Sequence, residues 1–268
     1  NSEYSTPSFQ EKFGIKTWVS PQANYFIPAE TKGNVVDDYE ECIYETNTMS
    51  HEEWRRAYLF AIVGSWGHFL GFTNLFARFI HKHNNLPYHS FYEDLVNWCI
   101  NNPTTILGHE VEEVLECINN ACDNNGYRGR SADGIFWDFD QSIGIHTIQH
   151  KNTLYDDLSI FISQYISDCS ILSELVDIQK SFVVDHETQY PIDRQYHYNF
   201  TDFTTHKNTI LRKEDTTLRF DARQPNYNND LSLYANDVFW FYRRIGGAKA
   251  FMHKLTDNDI PREMHTII

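Results

Sequence analysis

The sequence predicts a mainly α protein, a helical bundle with a short N-terminal strand and loop segment and a small antiparallel β element near the C-terminus. Three observations predict it. Apolar residues recur at helical spacing through residues 50–184, the implied helices are joined by short connections, and beyond Asp185 the pattern changes to strand-like alternation. The 268 residues are 41% hydrophobic and 15% aromatic, enough to bury a sizeable core. Three regions are expected: a loop-rich segment with a strand at 1–49, a helical domain at 50–184, and a β element plus C-terminal helix at 185–268.

Residues 1–36 hold Pro7, Pro21 and Pro28 among polar and aromatic residues and read as loop, with 14–20 a short extended piece. Cys42-Ile43-Tyr44-Glu45-Thr46 has the β-branched and aromatic character of a strand. Ser50 and Glu53 then form a capping box, their side chains reciprocally satisfying free backbone amides. Trp54, Tyr58, Ile62, Trp66 and Leu70 follow at four-residue intervals and give that helix one wide apolar face. A second helix is expected at about 73–83, with Leu75, Phe76, Phe79 and Ile80 on one side, and Pro87 blocks its continuation. Ser90 with Glu93 reads as the capping box of a third helix, ended by Pro103. A fourth spans about 109–124 and stops at Asn124-Asn125-Gly126.

Residues 126–152 read as a connection with Phe136, Trp137 and Phe139 inserted. Helices return at about 154–166 and 170–182. Residues 196–200, 209–212 and 217–220 are strand candidates, and a last helix is expected over 230–245, stopped by Gly246-Gly247.

The charge balance narrows the partners. With 22 Lys and Arg against 37 Asp and Glu, the formal net charge of -15 repels a phosphate backbone. Arg55-Arg56, Arg128 with Arg130, and Arg243-Arg244 do not extend into a basic stripe, so no nucleic-acid partner is expected. The apolar run 58–71 is broken by Gly64, Ser65, Gly67 and His68 and falls short of the roughly 20 residues of a membrane span, so no membrane partner is expected either. No signal peptide is read at the N-terminus. Five cysteines, at 42, 99, 117, 122 and 169, suit reduced thiols in a cytoplasmic protein.

Complete catalytic signatures are absent: there is no phosphate-cradling Gly-rich loop, no Gly-x-Ser-x-Gly and no His-Glu-x-x-His. His146 and His150 stand four apart and could share a metal with Asp138 or Asp140 if helical, although the favoured reading gives this chain no metal. His109-Glu110 with Glu112 and Glu113 reads as an acidic first turn offsetting the helix dipole. His68 lies on an otherwise apolar helix, where a polar group needs a partner or a cavity. Glu45 and Asn47 sit at a strand end just before a helix, where α/β folds place ligand-contacting groups. Glu45, Asn47 and His68 are therefore the candidate contacts for a small-molecule substrate.

Residues 4–17 (Tyr-Ser-Thr-Pro-Ser-Phe-Gln-Glu-Lys-Phe-Gly-Ile-Lys-Thr), 45–54 (Glu-Thr-Asn-Thr-Met-Ser-His-Glu-Glu-Trp), 91–95 (Phe-Tyr-Glu-Asp-Leu) and 239–247 (Phe-Trp-Phe-Tyr-Arg-Arg-Ile-Gly-Gly) together resemble the C-terminal part of cobalamin-binding radical SAM proteins. The resemblance implies a preceding catalytic barrel as partner, and S-adenosylmethionine, a [4Fe–4S] cluster and cobalamin as cofactors bound outside this chain. The chain departs from the family's catalytic pattern, because none of its cysteines has the Cys-x-x-x-Cys-x-x-Cys spacing of the cluster loop. The expected role is thus an accessory domain that shapes or covers the substrate site without activity alone. The alternatives are a stand-alone binding or interaction domain, with a pocket lined by Trp54, Trp66, Trp98 and Trp137, and a metal-dependent enzyme using His146 and His150.

Overall fold

The computed structural model describes residues 3–21, 39–222, 225–240 and 251–255. The loop expected over 22–36, the end of the helix expected at 230–245, its Gly246-Gly247 stop and Arg243-Arg244 fall wholly or partly outside them. The chain divides into two compact units, Asn1–Ser65 with Tyr92–Thr147, and Trp66–Phe91 with Ile148–Ile268.

The first unit opens with a 3-10 turn (Glu3–Ser5) and α1 (Pro7–Phe13). Pro7 suits the first helical turn because its missing N–H would have no intrahelical partner there, and the helix stops at Gly14, which takes φ 59°. β1 (Lys16–Pro21) and β2 (Tyr39–Glu45) pair antiparallel, with Trp18 opposite Cys42. α2 (His51–Gly64) carries the capping box of Ser50 and Glu53 in both directions. α4 (Tyr88–Asn101), which crosses between the units, begins before the expected Ser90, because Phe91 N donates to Pro87 O at 3.1 Å. α5 (Ile106–Asn124) also starts early, with the Thr105 hydroxyl accepting from Gly108 N. β3 (Gly129–Ala132) and β4 (Ile135–Asp138) form a hairpin turned on Asp133 and Gly134 at φ 50° and 72°, and α6 (Phe139–Ile148) follows directly. Trp18, Leu59, Val63, Leu95, Val111, Val114, Trp137 and Ile143 are buried in this unit.

The second unit follows a π-helical turn (Ser65–Phe69) and contains α3 (Asn74–Asn84), α7 (Lys151–Ile162), α8 (Cys169–Phe182), α9 (Phe200–Thr205) and α10 (Leu231–Ala235). A second π-helical turn (Asn236–Trp240) extends α10. β5 (Ile192–Tyr198), β6 (Lys213–Asp221) and β7 (Phe251–Lys254) form an antiparallel sheet in that order. β6 alternates, so Thr216, Leu218 and Phe220 turn inward. α3 packs on α8 and α9, and α8 on α7 and β5. Phe72, Phe76, Phe79, Tyr155, Phe161, Leu175 and Phe200 are buried there.

The mainly α helical bundle is therefore not what the chain builds. It is helix-rich but mixed, with three small antiparallel sheets among the described residues. Part of the physical reason lies in residues 126–152, where a hairpin and α6 occupy what reads as connection. The N-terminal segment likewise holds α1 and a paired strand, while 209–212 forms no strand. Among the described residues no single helix is long and apolar enough to cross a membrane.

The bend before α3 is held by buried polar groups. Gln179 Nε2 donates to Gly71 O at 2.8 Å, Leu75 N donates to Gln179 Oε1 at 2.7 Å, and Tyr155 Oη donates to Phe72 O at 2.9 Å. Gln179→Leu keeps the volume but strands a carbonyl and an amide away from water. The expected loss is about 2–4 kcal/mol in urea unfolding, and a change below about 0.5 kcal/mol would contradict this account.

Candidate functional site

The sequence-derived candidates fall in different settings. Glu45 lies opposite Lys16 in the β1–β2 ladder and pairs with its ammonium at 2.7 Å. Asn47 closes α1: its N donates to Phe13 O at 2.9 Å and its Nδ2 to Lys12 O at 3.3 Å. Both hold the N-terminal helix and hairpin together. His68 sits half-buried in the first π-helical turn, edge-on to Phe69 and Tyr88. Burial, and then the nearby Arg78, hold its pKa below the ordinary imidazole value.

His146 is on α6, whereas His150 lies past the end of that helix and caps α7 at φ -119°. The shared helical face that a two-histidine metal site would need is therefore not formed. Among the described residues no three His, Cys, Asp or Glu side chains gather as a metal-binding group.

His146 instead joins a cluster drawn from three elements of the first unit. Arg130 on β3 donates Nη2 to Glu110 Oε2 on α5 and Nε to Ser142 Oγ on α6 at 3.0 Å. Ser142 Oγ in turn donates to Phe139 O at 2.9 Å. The Nδ1 of His146, one turn beyond Ser142, lies 3.2 Å from the same Glu110 Oε2. Glu110 is a buried carboxylate rather than the solvated first-turn acid the sequence suggests, since α5 begins at Ile106. A signal for it was present: Glu110 stands three residues after Leu107 and four before Val114, on the apolar face.

The electrostatics follow from burial. Arg130 is pushed down to about 10 by desolvation, which leaves it charged at neutral pH. His146 is held below the ordinary imidazole value by burial first and by Arg130 second, with Glu113 opposing. Glu110's charge is already engaged by Arg130 and does little for an imidazolium. The neutral ring donates Nδ1–H to Glu110 and keeps Nε2 as an acceptor on a side chain that is partly exposed. A carboxylate-oriented imidazole of this kind can accept a proton or a hydrogen bond.

The four tryptophans of the expected pocket fall in different settings. Trp137 is fully buried and donates Nε1 to Ala132 O at 3.1 Å. Trp54 lies between Trp18 and Tyr58, with ring centroids 5.2 and 5.1 Å away, and Trp98 is half-buried on α4. In the second unit, buried Trp66 stacks on Phe72 at 4.9 Å.

Comparison with protein-family profiles finds no match. Among curated proteins the chain is distantly similar to a cobalamin-dependent radical SAM methyltransferase, with 28% identity over 110 residues, or 40% of this chain. That relative is TokK of Streptomyces tokunonensis, and the chain spans 15% of its length. The thiols of this chain do not fit the iron–sulfur cluster such chemistry uses. Cys99 and Cys122 are buried, Cys42 and Cys117 are half-buried, and only Cys169 is exposed. Burial raises Cys122 to about 11 and Cys99 further, opposing the thiolate state a cluster ligand requires.

Because His146 titrates low in the folded state, the unfolded chain binds the extra proton first. Its contribution to stability is present at neutral pH and is lost as pH falls below about 6.5. His146→Gln should flatten the acid side of the stability–pH curve and cost less than about 1 kcal/mol at pH 7. Glu110→Gln should cost about 3–5 kcal/mol by leaving buried Arg130 unpaired. Chemical unfolding of both variants between pH 5 and 8 tests this, and equal costs for the two at neutral pH would refute it.

Proposed function

We propose that this chain is the C-terminal, substrate-side accessory part of a cobalamin-dependent radical SAM protein. The barrel, the [4Fe–4S] cluster, S-adenosylmethionine and cobalamin would be provided by residues outside it. The observation that supports the radical SAM context is the 28% identity to a radical SAM methyltransferase over 110 residues, while the C-terminal placement is our own reading of the sequence stretches. The quoted N-terminal stretches add support, as does a thiol arrangement unsuited to a cluster. On this reading the chain contributes noncovalent contacts that orient a small molecule and exclude water, and His146, held in place by Glu110, is a hydrogen-bonding group for that task.

Anaerobic incubation of the chain with ferrous iron and sulfide should leave no [4Fe–4S] absorption after desalting. The genomic reading frame should join these residues to an upstream Cys-x-x-x-Cys-x-x-Cys. A stable cluster on this chain, or a frame without that motif, would overturn the proposal.

A further inference from the structure

From Trp54 to Tyr92 the chain contains no Asp or Glu, although it holds 37 acidic residues in all and a formal charge of -15. The same stretch carries Arg55, Arg56, Arg78, Lys82 and the histidines at 68, 81, 83 and 89. Its Trp66–Phe91 portion belongs to the second unit and gathers several of these groups at one place.

Three rings there form a chain of contacts, and Arg78 lies near enough for its charge to act on one of them. His68 lies edge-on to Tyr88 with ring centroids 5.9 Å apart, and Tyr88 stacks on His81 at 4.5 Å and 24°. His81 is three residues beyond Arg78 on α3, so the two are neighbours on one helical face, and the charge of Arg78 acts back on His68. The set is fixed from below: His81 Nδ1 lies 2.8 Å from Leu86 O, and Asn74 Nδ2 donates to His68 O at 3.1 Å. Phe69, which meets His68 edge-on, is 67% exposed, and Tyr88 is 39% exposed.

The two cations of α3 differ in what they do. Lys82 Nζ donates to Phe203 O at 2.5 Å and His206 O at 2.6 Å, carbonyls at the C-terminal end of α9. The guanidinium of half-buried Arg78 makes no hydrogen bond or ion pair with any described residue. A partly desolvated guanidinium without an acceptor is an unfavourable arrangement, and its planar fork matches a carboxylate. Exposed rings at the same place supply an apolar surface that a second part of a ligand can cover.

We propose that Arg78, His68, His81, Phe69 and Tyr88 form a binding site for a small aromatic carboxylate, the anion on the Arg78 guanidinium and the ring against Phe69 and Tyr88. This goes beyond the radical SAM reading and does not rest on it, because every group invoked lies within Trp66–Phe91.

The test is calorimetric titration of the chain with benzoate, acetate, inorganic phosphate and benzylamine. Benzoate should bind more tightly than acetate or phosphate, and benzylamine should not bind. Arg78→Gln should weaken benzoate about tenfold or more, and Phe69→Ala about threefold or more, with circular dichroism unchanged. Arg78→Lys, which keeps the charge without the fork, should fall between wild type and Arg78→Gln. No benzoate binding, equal affinity in Arg78→Gln, or benzylamine binding as well as benzoate would each overturn the site. Phosphate matching benzoate, with Phe69→Ala silent, would overturn its aromatic half. Because Phe69 is exposed, its variant remains informative even if Arg78→Gln fails to fold.

Discussion

The second unit depends on how the chain leaves the first π-helical turn and enters α3. Over residues 69–75 the backbone turns through Gly71 at φ 88°, and Phe72, Thr73, Asn74 and Leu75 are all buried. Peptide groups in such a place must find partners inside the protein. Gln179, fully buried on α8, takes one on each side of the bend, Tyr155 on α7 takes a third, and Thr73 N reaches back to Gly67 O at 2.8 Å. A neutral amide suits the task because one side chain offers a donor and an acceptor together. The position of His68 over α3, and hence its relation to Arg78 and Tyr88, follows from that clamp.

Among the described residues each unit also buries an ion pair, and the two are satisfied in different ways. Burial pulls the Lys151 ammonium below its ordinary value, and Asp185 opposes that pull. Burial alone would raise Asp185, yet Lys151 and Thr188 hold its carboxyl below the usual range. Lys151 reaches Asp185 Oδ2 at 2.6 Å and Val183 O at 2.5 Å, while Asp185 also accepts from Glu187 N and Thr188 N. That pair is saturated by local partners and reads as a fixed piece of framework. The Glu110–Arg130 pair differs because the same carboxylate oxygen also meets a partly exposed imidazole. One network closes on itself, and the other takes in a partly exposed imidazole.

How far the sequence spoke depended on the range of the interaction. The Ser50–Glu53 capping box was legible because it is complete within four residues, and α3, α7 and α8 were legible from apolar spacing alone. Asp133-Gly134 was equally local, a two-residue signal for a tight hairpin, yet the Gly and Asp of 126–152 read as a connection. Pro7 and Gly14 likewise bracket a helix in the order helices favour. Glu110 and Arg130 are 20 residues apart and Glu110 and His146 are 36 apart. No periodicity reports that such groups meet, so the cluster was not legible although Glu110, Arg130 and His146 were each noticed separately. Asn47 shows the converse: its position at a strand end suggested ligand contact, while the structure uses its amide to terminate α1.

Under the proposed accessory role, a part of an enzyme that holds none of the reacting centre can still raise its rate, since binding energy from a substrate's remote groups can be spent on orientation at the reacting bond. Such contacts must be preorganised, because a loosely held group loses in ordering entropy what it gains in contact. The groups that meet this condition are not the ones first suggested by position in the chain. Glu45 and Asn47 are committed to internal bonds, whereas His146 is oriented by a buried carboxylate and Arg78 stands on a helix whose entry is clamped by Gln179. An accessory role therefore makes its demands at side chains fixed by the core behind them and unspent in front, and Arg78 fits that description among the described residues.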